Sequence, residues 1–291
     1  MGDAPIAHVK RGLPCVTALV SGMKRETTRV HYELEARIGK LTVDPRTHKR
    51  HFQCGVDEEF LAQVLLRLEA AADDPESRWD PPTPWTQQVD TFYTLPSGLY
   101  VRSSVITGMG DTNGEVEPST AVHVMKTDVD TCDMQWNNDG IGVMRGENDE
   151  LYDVRLSLKR EEVVYENELP DRVDLPITVR IKQRRSFRYT PDGTDRAAWS
   201  IDITLVFAAD NYENALAVLK SGKPTSREIE IECLTPHMEM KRTGNDKQRV
   251  GLTLLLYVAG MFGVNAGAHT QLLPVAKNSA GAKQHPHRGP T

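Results

Sequence analysis

His31-Tyr32-Glu33-Leu34-Glu35-Ala36-Arg37-Ile38, near the start of the chain, and Glu228-Ile229-Glu230-Ile231-Glu232-Cys233, near its end, place carboxylates at every second position. Successive side chains of a strand point to opposite faces, so each stretch reads as a β-strand with one acidic face and one packing face. Like charges on one strand face repel, so five such glutamates call for a cation among them. A hard divalent metal ion is the simplest candidate, and metals held by carboxylates commonly grip phosphate.

Working outward, other stretches alternate in the same way. From Val179 to Arg188 one parity gives Arg180, Lys182, Arg184, Ser186 and Arg188, while the other is mostly apolar. From Tyr152 to Val163 one parity gives Asp153, Arg155, Ser157, Lys159 and Glu161, opposite Val154, Leu156 and Leu158. Arg102 in Leu99–Ser103, Lys126 in Ala121–Lys126 and Asp202 in Trp199–Phe207 are the polar-side residues of three more. Any one of these strands alone reads as a solvated face. Together, an acidic, a basic and a mixed strand make sense as the lining of one enclosed space that holds a metal and an anion. The expected fold is mainly β (α+β), a closed antiparallel barrel with a charged interior and helices against its apolar outside. About eight strands is the size at which a barrel can hold a small ligand.

The bulk properties are compatible with this. The 291 residues suffice for one large domain or two small ones, and 39% apolar with 26% charged residues is ordinary for a globular protein. A net charge of −6 argues against broad binding along a nucleic-acid backbone, though not against a local basic pocket for one phosphorylated end. Cys15, Cys54, Cys132 and Cys233 are scattered without metal-ligand spacing, so four reduced cysteines of an intracellular protein are expected. No secretory signal pattern opens the chain, and the apolar run from Val250 to Val264 is too short to span a bilayer, so it is expected to be a buried helix.

Helices are expected from Asp57 to about Ala72, from Asp210 (as the capping residue, with Glu213 completing a capping box) to near Gly222, and from Asp246 to Phe262. Trp79 to Trp85 is a proline-rich loop, and Thr107 to Ser119 is expected to be a loop as well. His48, His51 and Cys54 fall in what reads as a polar turn, and Trp199 and Phe187 as packing residues.

In order along the chain, ELEAR (33–37), YDVRLSLKREE (152–162), R-x-K-x-R (180–184), SIDIT (200–204) and EIEIE (228–232) resemble the triphosphate tunnel metalloenzymes. Within that family the resemblance is to the metal-dependent RNA 5′-triphosphatases of the yeast, protist and viral mRNA-capping type. The resemblance covers about residues 28 to 235 and implies a tunnel of eight antiparallel strands; residues 1–27 are expected to pack outside the barrel, 28–264 to form the catalytic domain, and 265–291, without aromatics and rich in small residues, to be a disordered tail. It implies Mg²⁺ or Mn²⁺ held by Glu33, Glu35 and Glu232, with Glu228 and Glu230 ordering ligands or waters. Arg102, Lys126, Lys159, Arg180, Lys182 and Arg184 would grip the phosphates, and Lys182 and Arg184 would also serve catalysis directly. Asp202 would hold neighbouring cations, and Arg37 stands where many relatives carry lysine. The tryptophan-rich peptide by which the fungal enzymes bind guanylyltransferase has no clear counterpart; a guanylyltransferase partner and a nuclear location follow only from the capping role.

Phosphoryl transfer asks a protein mainly for positioning and charge stabilisation, and paired carboxylate and arginine walls can supply both. Glu161 is the candidate to accept a proton from water or to orient it, or else it only neutralises Lys159 and Arg155 on its own face. No G-x-x-x-x-G-K-[ST] motif is present, and Cys54 is followed six residues later by Phe60, not the arginine a cysteine phosphatase requires. Two rivals keep the same lining: a tunnel hydrolase of inorganic triphosphate, thiamine triphosphate or nucleotides, and a barrel that binds polyphosphate without cleaving it.

Overall fold

Among the described residues nine antiparallel strands form: β1 (Val30–Val43), β2 (Arg50–Cys54), β3 (Thr86–Thr94), β4 (Tyr100–Met109), β5 (Val122–Met134), β6 (Asp153–Val164), β7 (Thr178–Tyr189), β8 (Trp199–Ala209) and β9 (Ser226–Cys233). Among the described residues five α-helices accompany them: α1 (Ala4–Ser21), α2 (Glu58–Asp73), α3 (Tyr212–Lys220), α4 (Pro236–Arg242) and α5 (Lys247–Met261). The computed structural model describes residues 4–24, 26–75, 77–95, 98–109, 120–135, 151–169, 176–191 and 196–262. The expected tail, 265–291, lies outside them.

The strands run in the order β1-β6-β5-β4-β3-β7-β8-β9, and β9 pairs back onto β1, so eight strands close into a barrel. The closing ladder sets Leu34 opposite Cys233, Glu35 opposite Glu232, Ala36 opposite Ile231 and Arg37 opposite Glu230. β1 is longer than this ladder. Its far half, Gly39–Val43, pairs with the outer strand β2 instead. A Cβ on Gly39 would lie 2.2 Å from the Gln53 carbonyl oxygen, so the close approach of β2 there requires glycine.

The apolar parity faces outward. Leu34, Ala36, Ile38, Leu156, Leu158, Ile201, Ile229 and Ile231 join one core with Phe60, Val64 and Leu68 of α2, Val16 and Leu19 of α1, and Leu254, Leu255 and Val258 of α5. Each such aliphatic side chain contributes about 1.5–3 kcal/mol by leaving water. α1 crosses α5 closely: a Cβ on Gly251 would meet Val16 Cγ1 at 2.5 Å, and one on Gly12 would meet Leu255 Cδ2 at 2.9 Å. A second, smaller cluster packs Ala215 of α3 on Val179, Ile181 and Phe207. Trp199 and Phe187 are wholly buried in the main core, as packing residues should be.

Some expectations need correction. The cap of α3 is Asn211, whose side chain accepts from the Asn214 amide at 2.9 Å. The Asp210 carboxylate instead accepts from the Asn211 and Asn214 side-chain amides, so the helix begins one residue later than a cap at Asp210 implies. Arg50–Cys54 is a strand, leaving only the residues around His48 as a turn. β4 continues through Met109, so Thr107–Met109 is strand, and 110–119 lies outside the described residues. Cys15 of α1 and Cys132 of β5, 117 residues apart, are joined by a disulfide with Cα atoms 6.5 Å apart, whereas Cys54 and Cys233 are free. Four reduced cysteines were the wrong expectation because pairing depends on approach in space, which scattered spacing does not reveal.

Candidate active site

On β1, β6, β7, β8 and β9 the polar parity faces inward, and the expected site residues meet there. β1 supplies Glu33, Glu35 and Arg37. β9 supplies Glu228, Glu230 and Glu232, and β8 supplies Asp202, which pairs across the sheet with Glu230. β7 sets Arg180, Lys182 and Arg184 in a row, β6 brings Lys159 and Glu161, β5 brings Lys126 and β4 brings Arg102. The β1–β6 ladder puts Glu33 opposite Lys159, and the β5–β6 ladder puts Lys126 opposite Glu161.

Ion pairs tie these walls together. Lys126 Nζ lies 2.6 Å from both Glu33 and Glu161, and Lys159 donates to Glu35. Arg37 bridges Glu35 at 3.0 Å and Glu230 at 2.9 Å. Arg184 reaches Asp202 at 3.2 Å and Glu230 at 3.9 Å, and Arg180 donates to Glu228 at 2.5 Å. Asp202 also accepts from the Ser200 hydroxyl at 2.6 Å. The cations beside Glu161 are Lys126 and, at 3.7 Å, Arg102, not the expected Lys159 and Arg155. Arg155 turns to Asp133 at 2.6 Å. The physical reason is spacing: same-face neighbours along a strand stand about 7 Å apart, whereas directly opposed residues stand about 4.5–5.5 Å apart.

Asp90 of β3 is the site residue that the sequence did not reveal. It is 0% exposed, 2.6 Å from Lys182 Nζ, and accepts from the Ser104 hydroxyl at 2.7 Å and from Gln88. Burial alone would raise its carboxyl, but Lys182, Arg102 and the hydrogen bond from Gln88 bring it down to about 2. The only trace was the alternation of Gln88 and Asp90 with Val89, faint because Gln87 and Thr91 leave β3 polar on both faces.

The electrostatics are unbalanced at two places. Glu35 is only 1% exposed and its carboxyl is raised, because burial and the repulsion of Glu33 and Glu230 outweigh Arg37 and Lys159. Glu232, directly opposite, is raised well above the carboxylate range by burial, Glu33 and Asp202. Glu230 goes the other way: burial would raise it, but Arg37, Arg184 and Lys182 hold it well below the usual range. Glu33 is likewise lowered against burial by Lys126 and Lys159. Among the cations, Arg102 and Arg184 each keep a buried Nε–H that meets no acceptor among the described residues. The site thus has two opposed carboxylates, Glu35 and Glu232, raised chiefly by burial on one wall, and two guanidinium Nε–H groups without an acceptor among the described residues on another.

Glu33, Glu35 and Glu232 fit a hard divalent cation by donor type and by their mutual repulsion. In the present side-chain arrangement Lys126 rests on Glu33, and Lys159 and Arg37 rest on Glu35. Accordingly, no group of three carboxylate, imidazole or thiol side chains among the described residues is gathered as a ligand set.

No family model and no curated protein sequence matches the chain. Solved structures do. The chain is similar to the S. pombe Pct1 RNA triphosphatase at 18% identity, with a TM-score of 0.52, over 88% of this chain and 89% of that one. A second structure of that protein, in complex with the Spt5 CTD, matches with a TM-score of 0.55 at 18% identity over 87% and 93%. The Mimivirus capping enzyme triphosphatase matches at 12% identity over 84% and 98%, with a TM-score of 0.43. The fold is therefore a tunnel barrel of the kind seen in Pct1. Among the described residues no helix is long and apolar enough to cross a membrane.

Proposed function

We propose that the protein is a divalent-metal-dependent RNA 5′-triphosphatase of the mRNA-capping type. It would remove the γ-phosphate from triphosphate-ended RNA and leave a diphosphate end for guanylyl transfer. The observation that carries this reading is the double imbalance inside the closed barrel, where Glu35 faces Glu232 and Arg102 and Arg184 have donors to spare. A metal ion answers the first and a phosphate answers the second.

In this reading Glu33, Glu35 and Glu232 hold Mg²⁺ or Mn²⁺, which when bound would neutralise phosphoryl oxygens and polarise the γ-phosphorus. Arg37 and Asp202 fix the carboxylate and guanidinium orientations, with Glu228 and Glu230 setting the cations of β7. Arg102, Lys126, Lys159, Arg180, Lys182 and Arg184 bind phosphate oxygens, planar guanidinium forks suiting two oxygens at once. Glu161 orients the attacking water and takes its proton as the new O–P bond forms and the bridging β–γ bond breaks, the leaving oxygen staying on the diphosphate end. Excluding bulk water from a buried, charged tunnel strengthens each of these contacts. A nuclear location and a guanylyltransferase partner belong to the same proposal. The test is release of labelled phosphate from γ-labelled triphosphate RNA with Mg²⁺, with Mn²⁺ and with neither. Release only with metal is expected; no release under any of the three overturns it. Parallel assays on inorganic tripolyphosphate and thiamine triphosphate separate this reading from a small-molecule hydrolase.

A further inference from the structure

One end of the tunnel opens into a cavity of about 310 Å³, walled by Glu33, Glu161 and Glu232 on the barrel side. Its lip is built from different chemistry: His31, Leu234, Thr235, His237 and Met238, with Glu26 behind them. Met238 is 57% exposed and Leu234 37%, so the lip offers apolar surface to solvent beside the charged interior. His237 Nε2 is buried and takes no hydrogen bond among the described residues; Glu26 Oε2 stands 4.0 Å away, beyond bonding reach. Glu26 is itself committed, accepting from the Tyr32 amide at 3.1 Å. Thr235 occupies the capping position of α4, yet its hydroxyl makes no cap bond.

An inorganic polyphosphate has no use for such a lip. A molecule with an anionic tail and a flat, hydrogen-bonding head has. We propose that the lip is the subsite for the first nucleoside of the substrate. Its base packs on Met238 and the His237 ring, its hydroxyls or ring atoms bond His237 Nε2 and the Thr235 hydroxyl, and its phosphates extend past Glu33 and Glu161 into the barrel. Imidazole rings and thioethers are both good surfaces for a base. The inference rests on the triphosphatase reading and deepens it: these residues make the site select triphosphates that carry a nucleoside.

The test compares the wild-type protein with His237→Ala and Met238→Ala in two measurements. The first is the ratio of kcat/KM on triphosphate-ended RNA to that on inorganic tripolyphosphate. The second is calorimetric binding of a β,γ-imido nucleoside triphosphate, which needs no turnover. Loss of one base contact is expected to lower the ratio about tenfold and to weaken the analogue's binding by a similar factor. An unchanged ratio with unchanged analogue binding overturns the subsite while leaving the hydrolase intact. A wild-type protein that cleaves nothing but binds the analogue in a His237-dependent way sinks the hydrolase and keeps the subsite. One that neither cleaves nor binds sinks both. Met238 is largely exposed, so Met238→Ala reports even where His237→Ala fails to fold.

Discussion

Leu34 and Glu35 are neighbours in the chain, and one peptide unit separates two opposite environments. Leu34 is wholly buried in hydrocarbon between the barrel and its helices, whereas Glu35 is almost as buried among charges. The same division recurs on β6, where Lys159 points in to Glu35 while Arg160 points out and pairs with Glu162 at 2.7 Å. The barrel is thus stabilised on its outside and burdened on its inside. Taking charges out of water costs several kcal/mol per ion, and their pairing seldom returns more than that. The outer core is what makes such an interior tolerable.

The comparison is broken most violently by exchanging the two environments. Leu34→Asp puts an unpaired carboxylate into the apolar layer and is expected to cost about 4 kcal/mol or more, leaving no folded protein by circular dichroism. Glu232→Ala should do the reverse: phosphate release falls about a hundredfold or more, with the melting midpoint kept or raised, since a repelled carboxylate is removed. Wild-type turnover in that variant would remove Glu232 from the chemistry.

Asp90→Asn sharpens the inner side. Lys182 loses its charged partner, and we expect turnover to fall about tenfold. The folded Asp90 carboxyl is depressed to about 2, so its contribution to stability is complete above the unfolded value near 3.9 and disappears as pH falls toward 2. A wild-type advantage over Asp90→Asn should therefore be present at pH 5 and vanish between about pH 4 and 2 in denaturant titrations. An advantage that persists at pH 2 contradicts the assignment. The smallest effect belongs to Arg160→Ala, on the outside of the same strand as Lys159. An exposed ion pair is worth about 0–1 kcal/mol, so melting should barely move and phosphate release should be unchanged.

Strict alternation made the site legible before the structure. Glu33, Glu35, Arg180 and Glu232 each sit between apolar residues, and a period of two carries Lys182 and Arg184 onto the face of Arg180. What alternation could not give is which strands are neighbours. Glu161 was matched to cations on its own strand, although Lys126 and Arg102 arrive from β5 and β4. Asp90 was missed because Thr86–Thr94 is polar on both faces and follows a proline-rich segment. α1 was hidden by Pro14 and Gly12 within its span, and α4, at seven residues, is too short for helical periodicity to register. His237 and Met238, of the proposed nucleoside subsite, lie in that same short helix.

The ring is sealed by the pairing of its earliest strand with its latest, β1 with β9. During synthesis, Glu33 and Glu35 leave the ribosome almost two hundred residues before Glu232. Until then the nascent chain carries an open sheet edge and two of the three carboxylates proposed to hold the metal, and such an edge is prone to pair with other chains. A prematurely terminated product ending before Ser226 would keep that edge unpaired and lack Glu232, so closure of the barrel and, under the proposed function, activity both wait for the last strand to emerge.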